Sequence, residues 1–390
     1  MDQQLYSAAQ PHHNPLLSFL RDRIHWPLIA VTGLLVTIGL FAINSAASTM
    51  HQGSIGYLQK QSIYVAMGVA AFIGMQQISY RAILRWSYLV YLIMLVLLVG
   101  VLFMPAHKGA SCWYDLGFFS IQPAEYMKIA VILALAEYLH HDNNKYQTFW
   151  GLLAPLALVL VPMALILKQP DLGGAITFLP LFFVLMYASG AKRWHLTGIT
   201  LMGMLGAVAM WFTILKPYQK MRVIAWLHPE KYSGAEAYQL HQSMIAIGSG
   251  GVWGKGYMQG TQQQLNLLPE KHTDFIFAVI AEEGGFVAVL GLAAILAALV
   301  VVGFRIALQC REQTGRTIAV GVVGLLAGEA VINLSVVTGI MPNTGIALPL
   351  ISYGGSSILS TFIALGLLNN VACCHQWKRD PAQSPLPATA

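Results

Sequence analysis

Residues 273–303 read TDFIFAVIAEEGGFVAVLGLAAILAALVVVG. From Gly284 onward no side chain in this stretch is charged. The run is long enough to cross a hydrocarbon core of roughly 30 Å as a helix. Blocks of the same kind recur near 27–44, 62–80, 84–104, 122–140, 150–167, 173–190, 195–215, 317–340 and 352–373. Together they make about ten expected transmembrane helices. Composition agrees: 56% of the 390 residues are apolar and 10% are charged, against roughly 45–50% and about 25% in soluble domains. An ordinary cytosolic enzyme, a disordered protein and a disulfide scaffold are thereby excluded. The sequence predicts an all-α, polytopic integral membrane protein. The stretch at 273–303 is long for one crossing and is expected to tilt or project from the bilayer.

Ten spans place both termini on one side. Arg21, Arg23, Arg81, Arg85, Lys145, Lys192, Arg193, Arg305, Arg311, Arg316, Lys378 and Arg379 fall on the face shared with the termini. The short loops of the other face carry only Lys60, Lys108 and Lys168. Cytoplasmic loops collect Lys and Arg, so the termini are expected in the cytoplasm. The net charge of +6 has the same origin, and no nucleic-acid partner is expected. Residues 1–26 read as a cytoplasmic tail without the pattern of a cleavable signal. Residues 27–375 form one membrane domain, and 376–390 a Pro/Ala-rich tail expected to be disordered. The four cysteines, Cys112, Cys310, Cys373 and Cys374, show no zinc or disulfide spacing.

Two segments break the pattern of short loops. Residues 216–272 form a long extracytoplasmic loop, and a loop of this length usually carries function. It contains AYQLHQSMIAIGSGGVWGKGY, an amphipathic stretch followed by glycines, which suits a helix lying at the interface or dipping into it. Residues 341–357, MPNTGIALPLISYGGSS, sit between two spans, yet their Pro and Gly residues preclude a regular helix. Irregular backbone at membrane depth is tolerated where it lines a cavity. No internal repeat or inverted symmetry is visible.

Ionisable residues within spans are costly and mark function by default. Glu125 and Lys128, three apart in QPAEYMK, share one helix face. Asp171 in KQPDLGG and Asp274 in LLPEKHTDFIF stand at the outer starts of their spans. Glu137, Glu282, Glu283 and Glu329 are expected deeper or nearer the cytoplasm. Each outer group also has a plain structural reading. Glu125 and Lys128 can be an ion pair inside the bundle, and Asp171 and Asp274 can be helix N-caps. Convergence favours function: two carboxylates, a carboxylate–lysine pair and both irregular segments face the same compartment.

Weaker signals are set aside. GSGGVWGKGY departs from a phosphate-binding loop at Ser249 and Gly256. The twelve histidines form no metal-ligand spacing.

Taken together, LLPEKHTDFIFAVIAEEGG, QPAEYMKIA, KQPDLGG, YQKMRVIAWLHPE, IAIGSGGVWGKG and LPLISYGGSS resemble the SEDS family of bacterial cell-wall polymerases. The likeness spans roughly residues 27–375. IAIGSGG followed by GTQQQLNLLPEKHTD is similar to the elongation branch, the RodA type, rather than the division branch, the FtsW type. The resemblance implies a ten-span peptidoglycan glycosyltransferase in the bacterial inner membrane. Such an enzyme polymerises lipid II, an undecaprenyl-diphosphate-linked disaccharide pentapeptide, during cell elongation. It implies Asp274 as the essential acid. It implies substrate-binding roles for Lys128, Glu125, Asp171, Lys60, His272, Glu270, Ser352 and Ser356. Implied partners are a class B penicillin-binding protein and elongation proteins of the MreC, MreD and RodZ type. The chain departs from the family pattern at Ser111 and Cys112, where arginines are expected before the Trp of KGASCWYDLG, and at Ala124 and Asn343.

The chemistry suits these residues. An α-linked diphosphate donor and a β-linked product require an inverting displacement. A diphosphate leaves without a proton once its charge is neutralised, so one carboxylate suffices as general base on the acceptor 4-hydroxyl. Asp274 is the expected base. Lys128, Lys60 or other loop cations are the expected partners of the leaving group. A divalent ion, Mg or Mn, is optional, with Asp171 or Glu125 as its holders. The alternatives are a lipid II flippase, which would favour a polar path across the whole bilayer and pseudo-symmetric halves, and a non-catalytic scaffold for a penicillin-binding protein.

Overall fold

The computed structural model describes residues 23–48, 53–104, 112–115, 117, 119–141, 147–213, 217–227, 235–265, 267–268 and 270–377. Both tails beyond 23 and 377, together with Lys108, Ser111, Lys145, Lys216 and Lys231, lie outside the described residues. Every expected span coincides with a helix or a broken pair. In chain order these are α1 (Trp26–Ala46), α2 (Gly53–Met75), α3 (Tyr80–Arg85) with α4 (Ser87–Val101), α5 (Pro123–His141), α6 (Leu153–Lys168), α7 (Leu172–Ile176) with α8 (Phe178–Ala188), and α9 (Arg193–Thr213). The long loop supplies α10 (Pro217–Leu227), α11 (Ala235–Ser249) and α12 (Thr261–Gln264). Three long helices follow: α13 (Ile276–Gln309), α14 (Gln313–Val337) and α15 (Gly355–Trp377). Among the described residues, six helices have the length and apolarity of a full crossing, and the chain is a multi-pass membrane protein.

The largest shift from the expected boundaries is in α2, which begins at 53 rather than 62. Its early polar turn is held by tertiary contacts. Gln61 donates to the Ser352 carbonyl (3.3 Å) and accepts from the Gly354 amide (3.2 Å). A two-stranded hairpin, β1 (Tyr114–Asp115) with β2 (Ser120–Ile121), is the one departure from all-α structure among the described residues. Its first strand lies in the CWYDLG string, and Gly117 stands between the strands with φ 89°.

At the centre stands α14, packed on α5, α8, α13 and α15, with most of its length buried. Along α15 lies α2, and α1 lies along α13. Of the expected irregular segment 341–357, residues 341–354 are non-helical, whereas 355–357 already form the first turn of α15. The non-helical part crosses α1 at Gly39, where a Cβ would stand 2.8 Å from the Ile351 Cα.

The long loop is structured where it is described. The amphipathic helix α11 packs on α13, and the buried Ser243 hydroxyl donates to the Val337 carbonyl (2.9 Å). The glycines after α11 dock on a break in α13 at Gly285 (φ 66°, ψ −165°). Lys255 and Gly256 amides donate to the Glu282 and Glu283 carbonyls, each at 3.0 Å, while Phe286 and Val287 donate back to Gly251 and Val252. Backbone meets backbone so closely that a Cβ on Gly250 would stand 2.1 Å from the Ala281 carbonyl oxygen. Glu282 and Glu283, expected deeper, are therefore reached by the loop. The broken helix opens its own backbone groups to it.

Candidate functional site

The turn carrying Glu270, His272 and Asp274 enters α13 without using Asp274 as a cap. The N-cap position belongs to Phe275, and no side chain caps it. In place of the helical ladder, the Ala278 amide closes on Phe275, and the Thr273 and Phe275 amides close on Glu270. The capping alternative for Asp274 therefore fails in this geometry. Its carboxylate lies beside Gly345 of the irregular segment, with Oδ2 3.6 Å from where a Gly345 Cβ would be.

Three successive carbonyls of this turn are gripped from outside. The Tyr353 amide donates to His272 (2.9 Å), the Ser352 hydroxyl to Thr273 (2.7 Å), and the Asn333 carboxamide to Asp274 (2.8 Å). The His272 ring sits edge-on to Tyr57 (5.0 Å between centroids) and against Tyr353 (5.6 Å). Lys60 is exposed and lies one helical turn from Tyr57 on the same face of α2. Lys271 is buried within the turn, and burial pushes its ammonium down to about 8.

Ser352 also accepts from the Leu348 amide (2.8 Å). Ser356 donates to the Ser120 carbonyl (2.8 Å) and accepts from the Gln122 amide (3.0 Å). Both hydroxyls, expected to touch substrate, are engaged with backbone and brace the segment.

The second polar group lies between α5, α14 and α15. Lys128 is buried and donates to Glu125 (2.8 Å) and to Glu329. Ser360 donates to the other oxygen of Glu125 (3.1 Å). One ammonium thus faces two carboxylates, and the trio is formally negative. Lys128 is better placed to hold three helices together than to meet a diphosphate. Asp171 does cap α7, accepting from the Gly174 amide (2.8 Å), and also accepts from Gln122 (3.1 Å).

A divalent ion at Asp171 or Glu125 would have to displace these donors. No group of three His, Cys, Asp or Glu side chains converges among the described residues. Cys112, standing where an arginine is expected, points inward and donates to the Gln169 carbonyl (3.2 Å). Burial and the nearby Asp171 push its thiol up to about 12, so this position stays uncharged. Asn333 is not singled out by the sequence, and Glu329 only as a carboxylate expected deeper or nearer the cytoplasm. Their spacing of four on α14 was the available signal, because it puts them on one face.

Fold and site together define a multi-pass helical membrane protein built around one externally braced, acid-bearing turn. The model of the cell cycle protein family of FtsW, RodA and SpoVE matches residues 25–376, and the chain belongs to that family. Peptidoglycan glycosyltransferase MrdB of Escherichia coli K12 is 36% identical over 361 residues, covering 92% of this chain and 96% of that one. A probable peptidoglycan glycosyltransferase FtsW of Geobacter metallireducens is 36% identical over 362 residues, covering 90% and 95%. Among solved structures, a chain from a peptidoglycan synthase complex that coordinates polymerization and crosslinking matches with a TM-score of 0.78 at 33% identity, covering 93% and 99%. The rod shape determining protein RodA of Thermus thermophilus matches with 0.67 at 30% identity, covering 93% and 98%.

Proposed function

We infer that the chain is a peptidoglycan glycosyltransferase of the elongation branch, polymerising lipid II into glycan strands with Asp274 as general base. Family membership and the names of its relatives support the reaction class. The observation that carries the assignment of the base is the placement of Asp274. Its carboxylate is not spent on a helix cap, while the backbone beneath it is fixed by three separate donors. A fixed carboxylate takes the proton of the acceptor 4-hydroxyl as that oxygen attacks the donor anomeric carbon from the face opposite the diphosphate. The diphosphate departs with its electron pair and needs charge rather than a proton. Lys60, exposed and on the face of α2 that bears Tyr57, suits that role better than the neutralised Lys128. Glu270 and His272 shape the turn, with His272 set between two tyrosine rings.

Both lipid chains stay in the bilayer while their head groups react, which accounts for an acid at the outer end of a span. The site is assigned to the outer face of the bacterial cytoplasmic membrane, with both termini cytoplasmic. A class B penicillin-binding protein, with elongation proteins of the MreC, MreD and RodZ type, is the proposed partner set. The test is a gel assay of purified protein on fluorescent lipid II, with and without the cognate penicillin-binding protein, beside a translocation assay in vesicles. Glycan ladders are the expected product. Translocation without ladders would establish a flippase, and ladders only from the partner would establish a scaffold.

A further inference from the structure

The carbonyl of Asp274 has left the helical ladder, because the Ala278 amide closes on Phe275 instead. Its donor comes from Asn333, in the penultimate turn of α14 and 1% exposed. The Asn333 carboxamide uses its two protons on two carbonyls, Asp274 (2.8 Å) and Ile346 (2.7 Å). Ile346 follows Gly345, the residue against which the Asp274 carboxylate rests. One side chain therefore sets the distance between the acid and the wall it faces. We propose that Asn333 is a positioning residue for the transfer reaction, holding Asp274 and the irregular 344–346 stretch in register from the buried core of the bundle.

The other two donors to this turn do less. Tyr353 acts through its backbone amide and tolerates substitution at that atom. Ser352 holds Thr273, not the acid. Asn333 alone spans both sides of the acid. Four residues earlier on the same face, Glu329 grips Lys128, so the helix that bears Asn333 is itself anchored. The Asn333 amide is also difficult to replace. Asp has the same shape but cannot donate to two carbonyls, and Ala donates to neither.

The proposal rests on Asp274 being the base, and the experiment separates the two. Full-length Asn333→Asp, Asn333→Ala and Asp274→Asn are purified with the penicillin-binding partner and compared with wild type for folded yield, melting temperature, kcat and KM on lipid II. Asn333→Asp and Asn333→Ala are expected to bind substrate with KM within about threefold of wild type while kcat falls on the order of 10²-fold, the cost of an acid misplaced by about 1 Å. Folded Asn333→Ala with wild-type kcat would overturn the proposal, as would a loss of activity that only tracks loss of folded protein. If neither Asn333 variant folds, Asn333→His, which retains one N–H donor, must fold with a lowered kcat, or the proposal is withdrawn. If Asp274→Asn polymerises normally, the base assignment falls, and a kcat defect in Asn333→Ala would then contradict a role exercised through Asp274.

Discussion

Two glycine-bearing irregular segments meet the same helix, α13, and they are built for opposite ends. At residues 250–262 the loop closes on both glutamates of α13, and one polar atom, Gln262 Oε1, is buried without a partner. Glu282 accepts from Lys255 (2.7 Å), Thr261 (3.0 Å) and the Gln262 amide (3.1 Å), and Glu283 accepts from Ser45 and the Met258 amide. Gly254, at φ 77°, leaves no room for a Cβ, which would stand 2.1 Å from the Glu283 carbonyl oxygen. At residues 341–354 the backbone is equally fixed, but it closes on the backbone of the turn that bears Asp274 and not on its carboxylate. Asn333 Oδ1 and Thr344 Oγ1 are likewise buried without a hydrogen-bond partner. The first segment is a strut that fastens the loop to α13 and α1. The second is a frame that holds the turn bearing an acid, with Gly345 beside its carboxylate. Glycine content alone does not separate the two; what the glycine touches does.

Substitutions at matched glycines break the comparison most sharply. Gly254→Ala drives a methyl group into the Glu283 carbonyl and is expected to abolish accumulation of folded protein, read by size-exclusion chromatography in detergent. Lys128→Met comes next: it leaves Glu125 and Glu329 facing each other without a cation, a loss on the order of 3–5 kcal/mol. The double reversal Glu125→Lys with Lys128→Glu is not expected to rescue it, because Glu329 would then face a carboxylate at position 128. Thermal melting of the three proteins decides this.

Gly345→Ala is milder. At φ 75° it strains the backbone by about 1–2 kcal/mol, but its Cβ meets only Asp274 Oδ2 at 3.6 Å. The variant should fold, and its polymerisation rate should fall on the order of tenfold as the methyl group crowds the acid. Equal behaviour of Gly254→Ala and Gly345→Ala would erase the distinction between strut and frame.

The smallest effect is a pH dependence. Lys271 has its pKa lowered to about 8 by burial, against about 10.4 when exposed. Between these values the unfolded chain binds more protons than the folded one, so stability should rise as pH goes from about 8 to about 10 and level off below 8. Lys271→Met should flatten that rise in a melting-temperature profile.

The fold was largely legible because each crossing must be an apolar run of fixed length, and the broken spans still carry one. The cap readings divided. Asp171 caps α7 as an Asp at a helix start tends to, whereas at Asp274 the N-cap passes to Phe275 and the Asp274 carbonyl is taken by Asn333 of α14. The partner of Lys128 was half legible: Glu125 lies three residues away on the same helix, while Glu329 lies 201 positions distant and meets it only through packing. The glycines of GSGGVWGKGY were readable as unusual but not as docking surface, since a close backbone approach leaves no trace in sequence spacing. Substrate-binding roles for Ser352 and Ser356 are implied by the resemblance alone, and their bonds to backbone depend on three-dimensional placement.

The central claim is that Asp274 acts in chemistry and not in folding. Asn caps and packs about as well as Asp but cannot take a proton. Asp274→Asn should retain wild-type yield, melting temperature and binding to the penicillin-binding partner, while its glycan polymerisation on fluorescent lipid II falls by about 10²–10⁴-fold, the usual contribution of a general base. Polymerisation by the folded variant at more than about a tenth of the wild-type rate would contradict the claim.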